Sequence, residues 1–275
     1  MAPGFFDKRP AAVAAANLMT YVDTHCHLDL LPDPVSALDR APGTVVVAVT
    51  ELPSRYRLLA ARFRHDRRVR VALGLHPLRA VSAGAMEEGL LIRQLDRTEY
   101  VGEIGLDFSR HGRDSKGAQL RIFERILAEA SLRQKVVTVH SRGADAHVIE
   151  RLRDAHVLGI LHWFTGSPRL IDDALAAGLY FSINPAMLRT EKGRATIAAL
   201  PSERVLTETD APFAKVGART TTPHDVRIVV AALDNATGPP AVKPPPAREP
   251  GVAISASCCF LRAGFVRTLT ASVRV

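Results

Sequence analysis

The chain has 275 residues, 47% of them hydrophobic, enough to bury one sizeable core as a single domain. It contains no apolar stretch long enough to span a bilayer. Its three cysteines, Cys26, Cys258 and Cys259, exclude both a disulfide framework and a CxxC zinc motif, so reduced, cytoplasmic conditions are expected. The net charge of +8 permits a phosphate-rich substrate without selecting one, because the segment after Gly238 contributes half of it, with five basic residues and one acidic.

Residues 1–20 are basic and then alanine-rich but lack a strongly apolar run, so they are read as a disordered extension, with Met19 close to the first folded residue. The string YVDTHCHLD follows. Tyr21 and Val22 start a strand, and residues two apart on a strand point the same way, so His25 and His27 share a face while Cys26 takes the other. Further apolar runs, each ending on a residue that can bind a metal or handle a proton, predict strands at 44–50, 69–76, 100–107, 136–142, 159–164, 179–184 and 205–210. Between them, apolar residues at 3.6-residue spacing predict helices at 34–41, 54–65, 85–97, 119–133, 144–155, 169–177, 191–200 and 225–236. Eight strand-helix units in about 220 residues match a closed α/β (β/α)8 TIM barrel, whose chemistry sits at the C-terminal ends of its strands. The Pro-rich segment from 239 to 275 has no clear periodicity and lies beyond the barrel domain of 21–238; its first part, to Pro250, is expected to be poorly ordered.

The strand ends supply His25 and His27, Glu103, His140, His162 and Asp210. Four imidazoles and two carboxylates exceed one tetrahedral ion and suit two divalent ions, with Glu103 as the bridging carboxylate. On this reading His25, His27, Glu103 and Asp210 hold one ion, and Glu103, His140 and His162 the other. Asp210 is also placed to orient or deprotonate a water. His76, in GLHP, is a candidate phosphate or leaving-group contact, and Arg142, two residues beyond His140, a candidate bidentate phosphate contact. Thr165 and Gly166 follow strand six and are candidates for close approach to a substrate backbone. Trp163 could stack on a base, but as the neighbour of His162 it is expected on the opposite side, packed on a helix. Asp107 and Glu208 adjoin ligands and are candidates to orient the histidines.

The motifs DTHCHLD, GLHP, GEIGLD, VHSRGA, HWFTGS and ETDAPF stand in the order and spacing of the TatD-type metal-dependent nucleases, within the amidohydrolase-like barrels, and the chain resembles that family over nearly the whole barrel. The resemblance implies hydrolysis of DNA phosphodiesters, often from a 3′ end, with magnesium or manganese in use and zinc able to occupy the same site. HLDLLPDP, LHWFTGS, NPAMLRTEKGRA and RVLTETDAPF resemble more narrowly the TatD-like nuclease of Qat anti-phage defence loci, which stands beside an ATPase and a QueC-like protein. The family would normally close its barrel with a further helix, and the tail after Thr237 departs from that pattern. Two other readings are a hydrolase of a small-molecule ester or amide and a non-catalytic partner in a defence complex. Many small-molecule hydrolases of this kind carry a lysine on strand four where this chain has Glu103, and the full ligand set argues against loss of chemistry.

Overall fold

The computed structural model describes residues 21–237. The extension expected at 1–20 and the tail expected at 239–275, with Cys258 and Cys259, lie outside the described residues. Elements alternate along the chain: β1 (Tyr21–Cys26), α1 (Pro34–Asp39), β2 (Thr44–Ala48), α2 (Pro53–Phe63), β3 (Val69–Val71), α3 (Gly84–Gln94), β4 (Tyr100–Gly105), α4 (Lys116–Leu132), β5 (Val136–His140), α5 (Asp145–Ala155), β6 (Leu158–His162), α6 (Pro168–Ala176), β7 (Tyr180–Ile183), α7 (Pro185–Arg189), α8 (Glu191–Ala198), β8 (Val205–Thr207), β9 (Lys215–Val216), β10 (Arg219–Thr220) and α9 (Val226–Thr237). Proline opens α1, α2, α6 and α7, where its missing N–H costs nothing. Asp33 caps α1, Asn184 α7 and Thr190 α8, each accepting backbone N–H groups that the first turn leaves unpaired.

The first eight strands are parallel and close into a barrel. Alternation along each strand divides the core. Val47, Val49, Ala72, Tyr100, Val136 and Ile160 fill the barrel interior, whereas Val46 and Ala48 of the same β2 pack outward with Leu59 and Phe63 of α2. Cys26 lies in that outer layer, opposite the histidines that flank it.

Two seams complete the ring. Between β3 and β4 the ladder narrows to a bridge between Leu73 and Val101, held by Leu73 N–H to Tyr100 O at 3.0 Å and Gly102 N–H to Leu73 O at 2.9 Å. Beyond it Thr50, following β2, exchanges backbone bonds of 3.1 Å with Gly102 and Glu103 of β4, passing directly over Gly74. Between β8 and β1, Thr24 Oγ1 donates to Thr207 O at 3.0 Å, Asp210 N–H to His25 O at 2.9 Å and His27 N–H to Ala211 O at 2.8 Å.

The strands stop earlier than their apolar runs suggest: β3 ends at Val71, β4 at Gly105 and β8 at Thr207. At this face the backbone leaves the regular ladder, with register shifts in β1 between Asp23 and Cys26 and in β4 between Val101 and Ile104. Such irregularities re-aim side chains, and both lie on ligand-bearing strands. The helix α7 and the β9–β10 hairpin are too short to leave a periodic signal and were not foreseen.

At Gly74 a Cβ would stand 1.8 Å from Thr50 O and 2.5 Å from Glu103 N, both backbone atoms. Gly74→Ala is expected to destabilise the protein by about 3 kcal/mol or more and lower the Tm by about 10 °C, measured by thermal unfolding.

Candidate metal centre

Glu103 projects from β4 into the mouth of the barrel, 3% exposed, and four imidazoles surround its two oxygens. Oε2 is 3.2 Å from His27 Nε2 and 3.6 Å from His25 Nε2; Oε1 is 2.9 Å from His140 Nδ1 and 3.5 Å from His76 Nε2. Asp210 approaches from the other side, its Oδ1 3.7 Å from His27 Nε2, 3.8 Å from His162 Nε2 and 3.9 Å from His25 Nε2. The residues drawn from β1, β4, β5, β6 and the loop after β8 thus converge in one buried cluster.

Ligand atoms gather in three neighbouring groups: His25, His27 and Asp210; His25, His162 and Glu208; and His76, Glu103 and His140. His162 lies flat on His25, with ring centroids 3.7 Å apart at 11°, beside Asp210, and His76 stands next to His140 with its Nε2 3.5 Å from Glu103 Oε1. Spacing along the chain cannot give that arrangement, because it depends on how far each strand end reaches over the barrel axis.

The hydrogen bonds behind the cluster orient its rings. His162 Nδ1 donates to Glu208 Oε2 at 2.9 Å, leaving Nε2 toward Asp210. Glu208 is itself held in place: Oε2 also accepts from Ser182 and Oε1 from Asn184 at 3.0 Å, so it orients His162. His140 Nε2 bonds Asp107 Oδ2 at 2.9 Å, which turns Nδ1 to Glu103. His25 Nδ1 bonds Thr138 Oγ1 at 2.9 Å, and its Nε2 is buried without a hydrogen-bond partner among the described residues. A buried nitrogen left unpaired beside carboxylates suits a cation, since burial without a partner costs several kcal/mol, roughly. His76 is different: its Nδ1 accepts the Leu78 N–H at 3.2 Å, so its proton sits on Nε2 and faces the site as a donor.

Electrostatics point the same way. Burial opposes charge on His140 and His162, yet the carboxylates beside them (Asp107 and Glu103, and Glu208 and Asp210) overcome it and push these rings up to about 9 and about 10. For His25 burial wins, aided by the positive His162, and holds it near 4 as a neutral donor. Burial raises Asp210 to about 7, against the pull of His162 and His27. A field that draws positive charge onto imidazoles draws a cation equally, and cation binding displaces those protons.

Sequence reasoning passed over Asp23. It is wholly buried and accepts from Thr209 N–H at 2.9 Å, Thr209 Oγ1 at 2.5 Å and His25 N–H at 3.3 Å, tying the histidine strand to the loop that carries Asp210. The D of DTH and the T of ETD were its signal.

The cluster forms the floor of a cavity of about 470 Å³, walled by Leu78, Arg142, Trp163, Thr165 and Phe213. Arg142 is exposed there and has no ion-pair partner among the described residues. Thr165 reaches the rim, its carbonyl held by Lys192 Nζ at 2.5 Å. Gly166 packs on the Phe164 ring instead of the cavity. Trp163 packs on the apolar layer beneath the helices, as expected, and in addition lines the cavity wall; its backbone is left-handed, φ +42°, a departure from regular strand geometry. Phe213 was not foreseen at all.

A (β/α)8 barrel with a buried histidine-carboxylate cluster at its C-terminal mouth defines the class of metal-dependent hydrolases. Within it, a family model described as TatD related DNase matches residues 22–243, and the chain belongs to that family. Human deoxyribonuclease TATDN3 is 29% identical over 212 residues, covering 70% of this chain and 77% of that one. The uncharacterized metal-dependent hydrolase YjjV of Escherichia coli is 31% identical over 207 residues, covering 70% and 79%. The YjjV crystal structure superposes with a TM-score of 0.73 at 26% identity over 79% of this chain and 90% of that one. A Campylobacter jejuni dihydroorotase, at 14% identity and a TM-score of 0.52, shares the fold alone.

Glu208→Gln keeps the shape but weakens the acceptor for His162. It is expected to reduce affinity for zinc or manganese about 10- to 100-fold, measured by calorimetric titration with far-UV circular dichroism confirming an intact fold.

Proposed function

We propose that the protein is a metal-dependent deoxyribonuclease that removes nucleotides from the 3′ end of single-stranded DNA. The observation that carries this is the joining of two features in one cavity: the cluster around Glu103, and the unpaired Arg142 guanidinium with the Nε2–H donor of His76 beside it. Acids on the floor suit cations, and donors on the wall suit the phosphate oxygens that those cations leave exposed.

His25, His27, Glu103 and Asp210 are the residues proposed to hold one divalent ion and Glu103 and His140 the other, with His162 joining from its place on His25. Magnesium or manganese in use and zinc in a purified sample fit this mixed set of oxygen and nitrogen donors. Two such ions, when bound, make water nucleophilic near neutral pH and stabilise charge on both the attacking and the leaving oxygen. Asp210 orients the attacking water and takes its proton as the oxygen closes on phosphorus and the bond to the 3′ oxygen breaks. Glu103 fixes the separation of the two halves of the site. Arg142 grips the non-bridging oxygens with its planar fork, and His76 donates Nε2–H to the phosphate or to the departing oxygen. Thr165 lines the path of the backbone.

The biological setting proposed is the cytoplasm, in anti-phage defence beside an ATPase and a QueC-like protein. It is supported by the motifs HLDLLPDP, NPAMLRTEKGRA and RVLTETDAPF. Among the described residues no helix is long and apolar enough to cross a membrane.

The test is cleavage of end-labelled single-stranded oligonucleotides by the purified protein. Stepwise shortening from the 3′ end with magnesium or manganese, abolished by EDTA and reduced about 10²- to 10⁴-fold in a folded Asp210→Asn variant, is expected. Failure to cut DNA by folded, metal-loaded protein that hydrolyses a small ester or amide would overturn the nuclease reading.

A further inference from the structure

Above the acidic floor, the cavity wall carries three apolar side chains beside Arg142 and Thr165. Phe213 is 51% exposed and Leu78 42%, and both face this cavity together with the partly buried Trp163. Single exposed apolar side chains are ordinary on any surface. What sets Phe213 and Trp163 apart is their relation to the candidate ligands. The Phe213 ring stands 4.9 Å from that of His27 at 87°, and the Trp163 ring 6.3 Å from that of His162 at 80°. His27 lies 5.2 Å from His25, which stacks on His162, so an unbroken chain of ring contacts runs from one aromatic to the other across the site. Each stands nearly upright to the imidazole it borders, and both line the cavity.

Both rings are placed by unusual backbone. Trp163 has φ +42°, and Asp210, φ +47°, begins the turn in which Phe213 N–H donates to its carbonyl at 2.7 Å. Left-handed conformations are costly for bulky residues and persist where surrounding structure enforces them, commonly at functional sites. The same turn that brings Asp210 inward therefore fixes Phe213 at the rim.

We infer that Phe213 and Trp163 are the two faces of a base clamp, each stacking on a nucleobase next to the phosphate held over the candidate metal cluster. The clamp rests on the nuclease reading of this site and deepens it by stating how the substrate is selected. Aromatic faces accept a base only when it is unstacked from its own strand, and every base has such a face. The enzyme therefore takes single-stranded or frayed ends with little regard to sequence. A double-stranded end, with its bases already stacked and paired, cannot enter without melting.

Trp163 is the chain's only tryptophan, so its fluorescence reports directly on base contact. The experiment titrates full-length protein in EDTA, and again with calcium, with a short oligothymidylate and with the same backbone carrying abasic sites at the last two positions. Quenching by the oligothymidylate, absent with the abasic strand, is expected. In cleavage assays Phe213→Ala should lower kcat/KM on the oligothymidylate about 10-fold, Phe213→Trp should restore it, and abasic ends should cost the wild type a similar factor but Phe213→Ala little more. Cleavage that proceeds equally well on abasic ends, or Trp163 emission that does not distinguish the two strands, would overturn the clamp while leaving the nuclease intact. Base-dependent quenching without cleavage would do the reverse.

Discussion

A buried carboxylate that answers to four imidazoles at once is the constraint around which this protein is arranged. Glu103 lies in the barrel mouth with His25 and His27 at one oxygen and His76 and His140 at the other. An isolated charge there would be untenable, and the cost is met only because donors arrive from several different strands. The barrel makes this possible. Its closed ring of parallel strands points every strand end at the same small volume, so residues that are distant in sequence meet without any long loop. The seam at Gly74 serves the same end, since only a residue without a side chain lets Thr50 reach across and fix the backbone of Glu103.

Around that centre a second ring of hydrogen bonds sets the chemistry of the histidines. Asp107, Glu208 and Thr138 each occupy one ring nitrogen, so that the other is presented inward, while the Leu78 N–H does the opposite for His76 and makes it a donor. Asp23 performs a related task through the backbone, joining β1 to the β8 loop and so fixing the distance between His25 and Asp210. These groups hold the others in the geometry that cation binding demands, which is why their replacement is felt in affinity before it is felt in the fold.

The floor and the wall of the cavity divide the labour. The floor, with Glu103 and Asp210, is acidic and buried. The wall, with Arg142, Phe213 and Trp163, faces the parts of a ligand that extend beyond it.

Much of this was legible in the chain. Alternating apolar runs announced eight strands and the helices between them, because burial on both faces of a parallel strand and on one face of a helix leaves distinct periods. The histidines and carboxylates could be read because each closes such a run. Other features had no local signature. Strand alternation did not reveal that Trp163 also lines the cavity, since a left-handed residue is set by its surroundings and not by spacing. The stacking of His162 on His25, the contact of His76 with Glu103 and the position of Phe213 beside His27 join residues more than 25 positions apart. The sequence by itself determined which groups were available and which element carried each one, because those depend on residue type and period. Which group met which was decided only by tertiary structure, because it depends on barrel closure, on register shifts in β1 and β4 and on where each strand leaves its ladder.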